Sequence, residues 1–302
     1  MDAIGPDVPI FVAGHRGLIG AALVRRLESD GFRNILVADR RELDLRDQAA
    51  VVAWFSDRRP ALIYLVAGLG GGIMANAQSP ADFLMDNLRV HTSVLGAALS
   101  TPSIQKLLYV SPATVYPRHA SQPITEDQIL AGPLEASNRP YALAKIAGLE
   151  MCESVRKQYG RNFVSAISTN VYGPDDNFDL ETGNVIPALI RRFHDAKEAQ
   201  RDDLEVWGTG SVMRDFMQVD DLASALVFLM QHYDEHGHIN VGTGHDRSIR
   251  ATAELIRDIV HPGGRLRFDP SKPDGTPRML LDNSRITRLG WAPAIELEDG
   301  LR

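Results

Sequence analysis

The sequence predicts an α/β fold, in which a doubly wound parallel sheet is followed by a smaller C-terminal lobe. Over residues 1–170, short continuous apolar runs alternate with helical patterns, as expected of parallel strands that helices cover on both faces. Beyond Asn170 the sequence turns to segments rich in Gly and Pro, such as YGPDDNF and SKPDGTPR. We therefore expect residues 1–170 to form the sheet domain and residues 171–302 mainly the lobe, with segments near 213–242 returning to the sheet domain.

The first helix shows how each element is assigned. Apolar side chains between Leu18 and Leu27 recur on one face at helical spacing, and Gly31 ends the helix. The same patterns predict further helices at residues 47–57, 83–99 and 141–159 and, in the lobe, near 184–198, 221–233 and 248–260. Buried strands are predicted at residues 9–13, 34–38, 62–66, 106–110, 163–168 and 239–241.

Composition and charge exclude several classes of protein. The 302 residues include 32 Lys and Arg against 39 Asp and Glu, a net charge of −7, which gives no electrostatic reason to bind nucleic acid or an anionic membrane. No apolar run approaches the roughly 18 residues of a membrane-spanning helix, and the first residues do not form a signal peptide. The single cysteine, Cys152, permits no intrachain disulfide. We expect a cytoplasmic protein without a metal site, and interpret the histidines at 232, 236 and 238 as a solvated helix end.

A glycine-rich loop, GHRGLIG at residues 14–20, joins the first strand to the first helix. Gly14 allows a tight turn, Gly17 lets backbone N–H groups approach a pyrophosphate, and Gly20 permits close packing of the helix on the sheet. The helix begins with Leu18 and Ile19 in its first turn, and its N-terminus points at the negative charge of the pyrophosphate. In this strand–loop–helix context the motif predicts dinucleotide binding on a Rossmann-type sheet.

Three residues beside this loop bear on the choice between NADP and NAD. Asp39 ends the second strand, where a carboxylate usually binds the ribose hydroxyls of NAD and repels a 2′-phosphate. Arg16 and Arg40 favour the opposite choice, because guanidinium groups bind a phosphate bidentately. We predict NADP as the cofactor and keep NAD as the alternative.

Tyr141 and Lys145 begin the long helix predicted at 141–159. Their spacing of four residues places them on one helix face, one turn apart. A nearby ammonium group is expected to lower the pKa of the phenol, so that the tyrosine exchanges a proton with a carbonyl or hydroxyl group near neutral pH. Together with the glycine-rich loop, the pair predicts a nicotinamide-dependent enzyme.

On these residues, and on longer segments, the chain resembles the extended short-chain dehydrogenase/reductases and, most closely, the GDP-L-fucose synthase family. The matching segments run almost from end to end and include VAGHRGLIG, GGGIMAN, PYALAKIAG, NVYGPDDNF, VIPALIRRFHDA, RDFMQVDDLA and FDPSKPDGTPR. That family epimerises C3 and C5 of GDP-4-keto-6-deoxymannose and then reduces C4 with NADPH. The resemblance implies a nucleotide-sugar substrate and a homodimer joined through the helices at 83–99 and 141–159.

The resemblance also implies roles for single residues. Tyr141 would be the proton donor, Lys145 its partner, and Asn170 a neighbour of the nicotinamide. The guanidinium groups of Arg192 and Arg214 suit a diphosphate, and the indole of Trp207 offers an aromatic face to a base. Further cofactor contacts are implied for Ala67 and Gly68, and substrate contacts for Asn184, Val185, Arg192, Trp207, Arg214 and Lys272.

The active-site segments depart from the family pattern at four positions, one of which is Leu69, where the family has a lysine. Where the family has Gly-Ser-Ser-Cys-Ile-Tyr-Pro, residues 111–117 read SPATVYP, so that Pro112 replaces a hydrogen-bonding serine and Thr114 the acid/base cysteine. Asn184 replaces the histidine that partners this cysteine. Epimerisation needs groups that titrate near the working pH, and neither Thr nor Asn does. We predict that C3/C5 epimerisation is lost while hydride transfer is retained, with Thr114 or Ser111 taking over the serine's hydrogen bond.

Two other functions remain open from the sequence. A C4 epimerase of a nucleotide hexose or heptose would oxidise and re-reduce C4 with a retained NAD(P), and residues 111–116 resemble a loop of UDP-galactose 4-epimerase. A non-catalytic nucleotide-sugar binder is the lesser alternative, because three reactive side chains are replaced. The presence of Tyr141 and Lys145 argues against a pure binder.

Overall fold

A computed structural model describes residues 4–302, and its elements alternate as the apolar pattern predicts. The strands are β1 (Ile10–Ala13), β2 (Ile35–Leu36), β3 (Leu62–Leu65), β4 (Lys106–Pro112), β5 (Asn162–Ser168), β6 (Asn170–Tyr172), β7 (Asp203–Trp207), β8 (Met213–Arg214), β9 (Phe216–Gln218), β10 (His238–Val241), β11 (Arg247–Ser248), β12 (Arg265–Asp269) and β13 (Arg278–Met279). The helices are α1 (Leu18–Ser29), α2 (Gln48–Arg58), α3 (Ile73–Gln78), α4 (Pro80–Ser100), α5 (Arg139–Tyr159), α6 (Val185–Glu198), α7 (Val219–His232), α8 (Ile249–Val260), α9 (Ser284–Leu289) and α10 (Leu297–Leu301).

The central sheet has six parallel strands in the order β10-β5-β4-β3-β1-β2. The predicted α/β fold with a parallel sheet is therefore confirmed. The chain leaves β1 towards β2 and then crosses back to β3 on the other side of β1, so the order reverses between β1 and β3. In open α/β sheets the crevice at such a reversal, beyond the carboxyl ends of the strands, is where ligands bind.

Helices cover both faces of the sheet, and the side chains of β1 show the two layers. Ile10 and Val12 pack into a core shared with α1 and α7, whereas Phe11 and Ala13 pack into a core shared with α2, α4 and α5. Because successive side chains of a strand point to opposite faces, a strand buried on both sides reads as the continuous apolar run seen in the sequence.

A third apolar core holds the lobe together, with α6 and α8 packed over the parallel pair β7 and β12. A three-stranded sheet in the order β11-β8-β13 lies in the same part of the chain. The segment between these pieces returns to the central sheet, since α7 packs on α1 and β10 is the sixth strand. The carboxyl ends of the central strands and the lobe thus enclose a cleft.

Several elements differ from the sequence prediction, and three of them show a physical reason. β2 has two residues rather than five, because it is an edge strand in which only Ile35 and Leu36 pair with β1. α4 begins at Pro80 rather than at 83, as proline suits the first turn of a helix. The six-residue α3 is too short for a helical period to show in the sequence. Within residues 4–302 no helix has the length and apolar character needed to cross a bilayer.

Candidate active site

A cleft of about 600 Å³ opens at the carboxyl ends of β1, β3, β4 and β5. One wall consists of the glycine-rich loop, the segment that follows β4 and the start of α5. The opposite wall is built by the loop before α6, by α6 itself and by lobe residues near β7 and β8. The cleft therefore joins the expected dinucleotide site to the lobe.

The glycine-rich loop has the backbone that a bound pyrophosphate requires. Gly14 has φ of +98°, and a Cβ there would lie 2.8 Å from the backbone of Ala67. A Cβ at Gly20 would overlap the carbonyl oxygen of Gly14, so α1 can start against the turn only without a side chain here. Gly17 is the N-cap of α1 and offers no side-chain cap, which leaves the first-turn N–H groups of Leu18 and Ile19 free for an anion. These residues fit a dinucleotide.

The segment after β3 forms the floor between this loop and α5. Gly68 lies against Asn87 and Lys145, because a Cβ at this position would be 2.5 Å from Asn87 Oδ1 and 3.3 Å from Lys145 Nζ. Asn87 Oδ1 accepts from the N–H of Leu69, and Asn87 Nδ2 donates to the carbonyl of the same residue. The side chain of Asn87 thereby fixes the loop that carries Ala67 and Gly68.

The three residues expected at the adenosine end lie outside the main cleft, beyond the end of β2. Arg16 Nη1 lies 3.7 Å from Asp39 Oδ2, and 76% of the Arg16 side chain is exposed. Asp39 Oδ1 also accepts the N–H groups of Arg41 and Glu42, and these hydrogen bonds hold the pKa of Asp39 below its ordinary value. Arg40 is exposed beside Asp44, at 3.8 Å. The Asp39 carboxylate therefore stabilises its own turn, and both arginines are accessible to a phosphate.

Tyr141 and Lys145 lie together in the cleft, with Lys145 Nζ 5.9 Å from the centre of the Tyr141 ring. Phe83 meets the Tyr141 ring edge-on at 5.8 Å. Burial lowers the pKa of Lys145 to about 8 and raises the pKa of Tyr141 above its ordinary value. The expectation that the ammonium group lowers the phenol pKa is therefore wrong, because withdrawal of the hydroxyl from water outweighs a charge at this distance.

The end of β4 and the segment after it each contribute one hydroxyl group without a partner. Among the described residues, neither Ser111 Oγ nor Thr114 Oγ1 has a hydrogen-bond partner, although both atoms are buried. Pro112 lies between them at the end of β4 and has no N–H to donate. Buried hydroxyls in proteins are nearly always hydrogen-bonded. Two unpaired hydroxyls in the cleft wall are thus available to a ligand.

Two cations lie over the ring of Trp207 on the lobe side of the cleft. Arg192 Cζ and Lys272 Nζ each lie 4.7 Å from the centre of its ring. Trp207 Nε1 donates to Glu205 Oε1 at 2.6 Å, which fixes the plane of the indole. Lys272 does not itself line the cleft and borders it through this ring. Three of the residues for which the resemblance implies substrate contacts therefore lie together.

Arg192 and Arg214 are cations in the cleft without a carboxylate partner. Within residues 4–302, neither guanidinium group has a carboxylate oxygen within 4.0 Å, and both donate to backbone carbonyls instead. Burial lowers the pKa of Arg214 to about 10 and also lowers the pKa of Arg192. Asp274 and Glu135 oppose this shift at Arg214, and Glu205 opposes it at Arg192, but burial has the larger effect on both pKa values. Positive charge that is partly removed from water without a direct ion pair is costly, so these two arginines favour an anionic ligand.

Three further predicted residues line the cleft at the hinge between sheet and lobe. Asn170 Nδ2 donates to the carbonyl of Asp215 at 3.2 Å. Asn184 is the N-cap of α6 but makes no side-chain cap bond, and Val185 is the first residue of that helix. The side chain of Asn184 is therefore not used to stabilise the helix.

Sequence reasoning missed several residues that line the same cleft, among them Asn76, Glu135, Asn138 and Asp176. Burial raises the pKa of Asp176 to about 6. Asn138 is the N-cap of α5 without a side-chain cap bond, and its Oδ1 is buried. Its position three residues before Tyr141 was a signal that could have identified it, whereas no pattern marks the others.

Two of the three clustered histidines have hydrogen-bond partners in the protein, and the ring of His232 packs against Phe228 at 4.7 Å. His236 contacts Glu153, and His238 Nε2 contacts the carbonyl of Glu126 at 2.9 Å. Across residues 4–302, no three His, Cys, Asp or Glu side chains converge as metal ligands.

Comparison with known proteins gives a consistent result. Residues 10–242 match the model of the NAD dependent epimerase/dehydratase family. The chain is 50% identical over 292 residues to a probable GDP-L-fucose synthase 1 of Oryza sativa subsp. japonica, covering 97% of this chain and 89% of that one. It is 45% identical over 301 residues to the GDP-L-fucose synthase of Escherichia coli (strain K12), covering 97% and 94%.

Two solved structures from Campylobacter jejuni superpose on nearly the whole chain. A GDP-6-OMe-4-keto-L-xylo-heptose reductase has a TM-score of 0.93 at 35% identity, covering 99% of this chain and 96% of that one. A GDP-mannoheptose C4 reductase with NADP bound has a TM-score of 0.90 at 34% identity, covering 99% and 97%.

Proposed function

Since the chain belongs to the NAD dependent epimerase/dehydratase family and, within it, to the GDP-L-fucose synthases, we propose that it reduces C4 of a GDP-linked 4-keto sugar without epimerising C3 and C5. It is an NADP-dependent nucleotide-sugar reductase, and its relatives include both synthases and C4 reductases that are named for GDP-sugars. Reduction at C4 is the step that these two groups share.

The observation that carries the proposal is the pair of half-buried guanidinium groups without a direct ion pair, Arg192 and Arg214, in the cleft that Trp207 also lines, with Arg192 over the Trp207 ring. A nucleoside diphosphate supplies the two features that this arrangement lacks. Its diphosphate neutralises two half-buried cations, and its base stacks on an aromatic face. We place the nucleotide on the lobe side and the sugar towards Tyr141.

The cleft residues account for proton transfer at C4. When NADPH is bound, it supplies the hydride. Tyr141 keeps its proton near neutral pH, because burial raises its pKa, and donates this proton to the C4 oxygen as that oxygen gains negative charge. Lys145 then stabilises the phenolate, since an ammonium group acts strongly in a site shielded from water. The hydroxyls of Thr114 and Ser111 orient the C4 oxygen.

The proposed loss of epimerisation depends on Thr114 and Asn184. Inversion at a carbon next to a ketone requires one group that removes a proton and another that returns it on the opposite face. Neither side chain titrates in the relevant range. Of the carboxyl groups that line the cleft, Glu135 is paired with Arg118 at 3.1 Å, and burial raises the pKa of Asp176 to about 6. Asp176 alone, on one side of the sugar, does not serve both faces. We therefore assign this enzyme the reduction alone.

The proposal is tested with purified protein, NADPH and GDP-4-keto-6-deoxymannose, following NADPH oxidation by absorbance. We expect turnover, and a loss of roughly 100-fold or more in Tyr141→Phe, since that variant keeps the ring but lacks the proton. UDP- and dTDP-linked 4-keto sugars serve as competing substrates. Preference for one of these would contradict the assignment of GDP. Interconversion of C4 stereoisomers without net NADPH oxidation would support the C4 epimerase instead.

We further propose a homodimer formed through α4 and α5, and a cytoplasmic location. Met85 on α4 and Leu143 on α5 expose 49% and 40% of their surface, and a dimer formed through these neighbouring helices would cover both. The buried thiol of Cys152 is unpaired, so the fold does not depend on an oxidising compartment. Light scattering of the protein and of Met85→Lys tests the dimer, which the substitution should weaken.

A further inference from the structure

Behind the cleft, two polar side chains form a fully buried pair that the proposed reaction does not use. His91 of α4 and Tyr109 of β4 are both 0% exposed. His91 Nε2 lies 3.2 Å from the Tyr109 hydroxyl, and His91 Nδ1 lies 3.1 Å from the carbonyl oxygen of Ala144 in α5. Burying two polar groups is costly unless their hydrogen bonds are satisfied, so a pair at this position requires an explanation.

The partners of His91 determine the direction of these hydrogen bonds. A carbonyl oxygen only accepts, so His91 Nδ1 must carry the hydrogen that it donates to Ala144. His91 Nε2 is then a bare acceptor and receives the hydrogen of the Tyr109 hydroxyl. Burial and the charge of Lys145 hold the pKa of His91 well below its ordinary value, and burial keeps the pKa of Tyr109 well above its own. Both side chains are therefore neutral.

The pair contacts α5 directly at the turns that follow Tyr141. The Tyr109 hydroxyl lies 3.3 Å from the carbonyl oxygen of Lys145. Gly148 makes room for it, because a Cβ at that position would be 2.5 Å from the hydroxyl oxygen. The phenol of Tyr109 is thus held by α4 on one side and packed against α5 on the other.

The ammonium group of Lys145 lies over the face of the Tyr109 ring. Its Nζ lies 5.3 Å from the centre of the Tyr109 ring and 3.5 Å from the carbonyl oxygen of Val110. Burial is what lowers the pKa of Lys145, and no carboxylate of residues 4–302 forms an ion pair with it. The titratable side chains shown near this ammonium group are those of His91, Tyr109 and Tyr141, and all three are neutral at pH 7.

We propose that Tyr109, fixed by His91, is a positioning residue for Lys145, and that its ring face supports the ammonium group beneath the cleft. The negative face of an aromatic ring attracts a cation within about 6 Å, and the attraction strengthens where water is excluded. The ring thus partly offsets the cost of burying this lysine without a counter-ion. The importance of Lys145 for turnover rests on the proposed function, but its support by Tyr109 does not.

The test compares two variants of equal shape in the protein without cofactor. Tyr109→Phe keeps the ring and its negative face, whereas pentafluorophenylalanine at position 109 keeps the outline and reverses the charge of the face. The chain contains five lysines, so ¹³C-labelled lysine gives a simple NMR spectrum in which Lys145→Met identifies the signal of Lys145. Circular dichroism and thermal melting establish that both variants fold.

We expect the pKa of Lys145 in Tyr109→Phe to remain close to the wild-type value. In the fluorinated variant it should fall by about 0.5 to 1.5, because the charged form loses its attractive ring. Equal Lys145 pKa values in the two variants, or a higher value in the fluorinated one, would overturn the inference.

The kinetic pH profile separates this inference from the proposed function. If Lys145 must be protonated for turnover, the basic limb of kcat in the fluorinated variant moves to lower pH by the same amount, with KM for the sugar unchanged. A shifted NMR titration with an unshifted kcat profile would leave the ring support intact and refute the role of Lys145 in the reaction.

Discussion

Arg16→Ala is a selective test of how this enzyme recognises the 2′-phosphate of NADPH. Arg16 and Asp39 form an exposed ion pair at 3.7 Å. Exposed ion pairs contribute little free energy, so breaking this one when the cofactor binds costs little. A hydrogen bond to a charged group corresponds to roughly a 10- to 100-fold change in affinity. Because 76% of the Arg16 side chain is exposed, we expect the lower end, about 10-fold.

The assay measures kcat/KM for NADPH and for NADH with the same sugar substrate. NADH lacks the 2′-phosphate and is the internal control, so its kcat/KM should be unchanged in Arg16→Ala. Asp39→Asn should change the preference in the opposite direction, since it removes the negative charge next to the phosphate but keeps an oxygen that can accept from Arg41 and Glu42. An equal loss with both cofactors would show that Arg16 supports the loop rather than the phosphate.

Three other substitutions test separate parts of the molecule. Arg214→Met should raise KM for the GDP-sugar by roughly 10- to 100-fold with a much smaller change in kcat, and an unchanged KM in initial-rate measurements would contradict the diphosphate site. Lys106→Met removes the buried ammonium group that donates to three carbonyls at the C-terminal end of α7. It should lower the free energy of unfolding in urea by about 3 kcal/mol, and full stability would refute this capping role. Gly148→Ala places a methyl group 2.5 Å from the Tyr109 hydroxyl and should cost about 1 to 3 kcal/mol in thermal unfolding, whereas an unaltered melting temperature would mean that α5 is free to move away.

The fold was predictable because its strands are buried on both faces. The runs at 62–66 and 106–110 carry this signal in consecutive residues, so their strands were identified without tertiary information. The edge strand β2 was overestimated, because the apolar run at 34–38 continues beyond the two residues that pair with β1. A sequence pattern records burial but not the length of the neighbouring strand.

The site was predictable where a motif fixes both residue and geometry. The glycine-rich loop requires its conformation, and the spacing of Tyr141 and Lys145 on one helix places both in the cleft. The phenol pKa was predicted in the wrong direction, because the sequence reveals the neighbouring charge but not the burial that opposes it. The pairing of His91 with Tyr109 joins α4 to β4 across 18 residues and has no sequence signature.

The central claim is that the hydrogens on C3 and C5, the ring carbons next to the ketone, do not exchange with solvent during reduction. It is tested most directly by running the reaction in deuterated water with GDP-4-keto-6-deoxymannose and NADPH, and by examining the isolated product by NMR and mass spectrometry. We predict no deuterium on the carbon at C3 or C5, together with the unchanged configuration of both centres. Deuterium at either carbon with inverted configuration would contradict the account, and Asp176 would then be the first residue to replace, as Asp176→Asn.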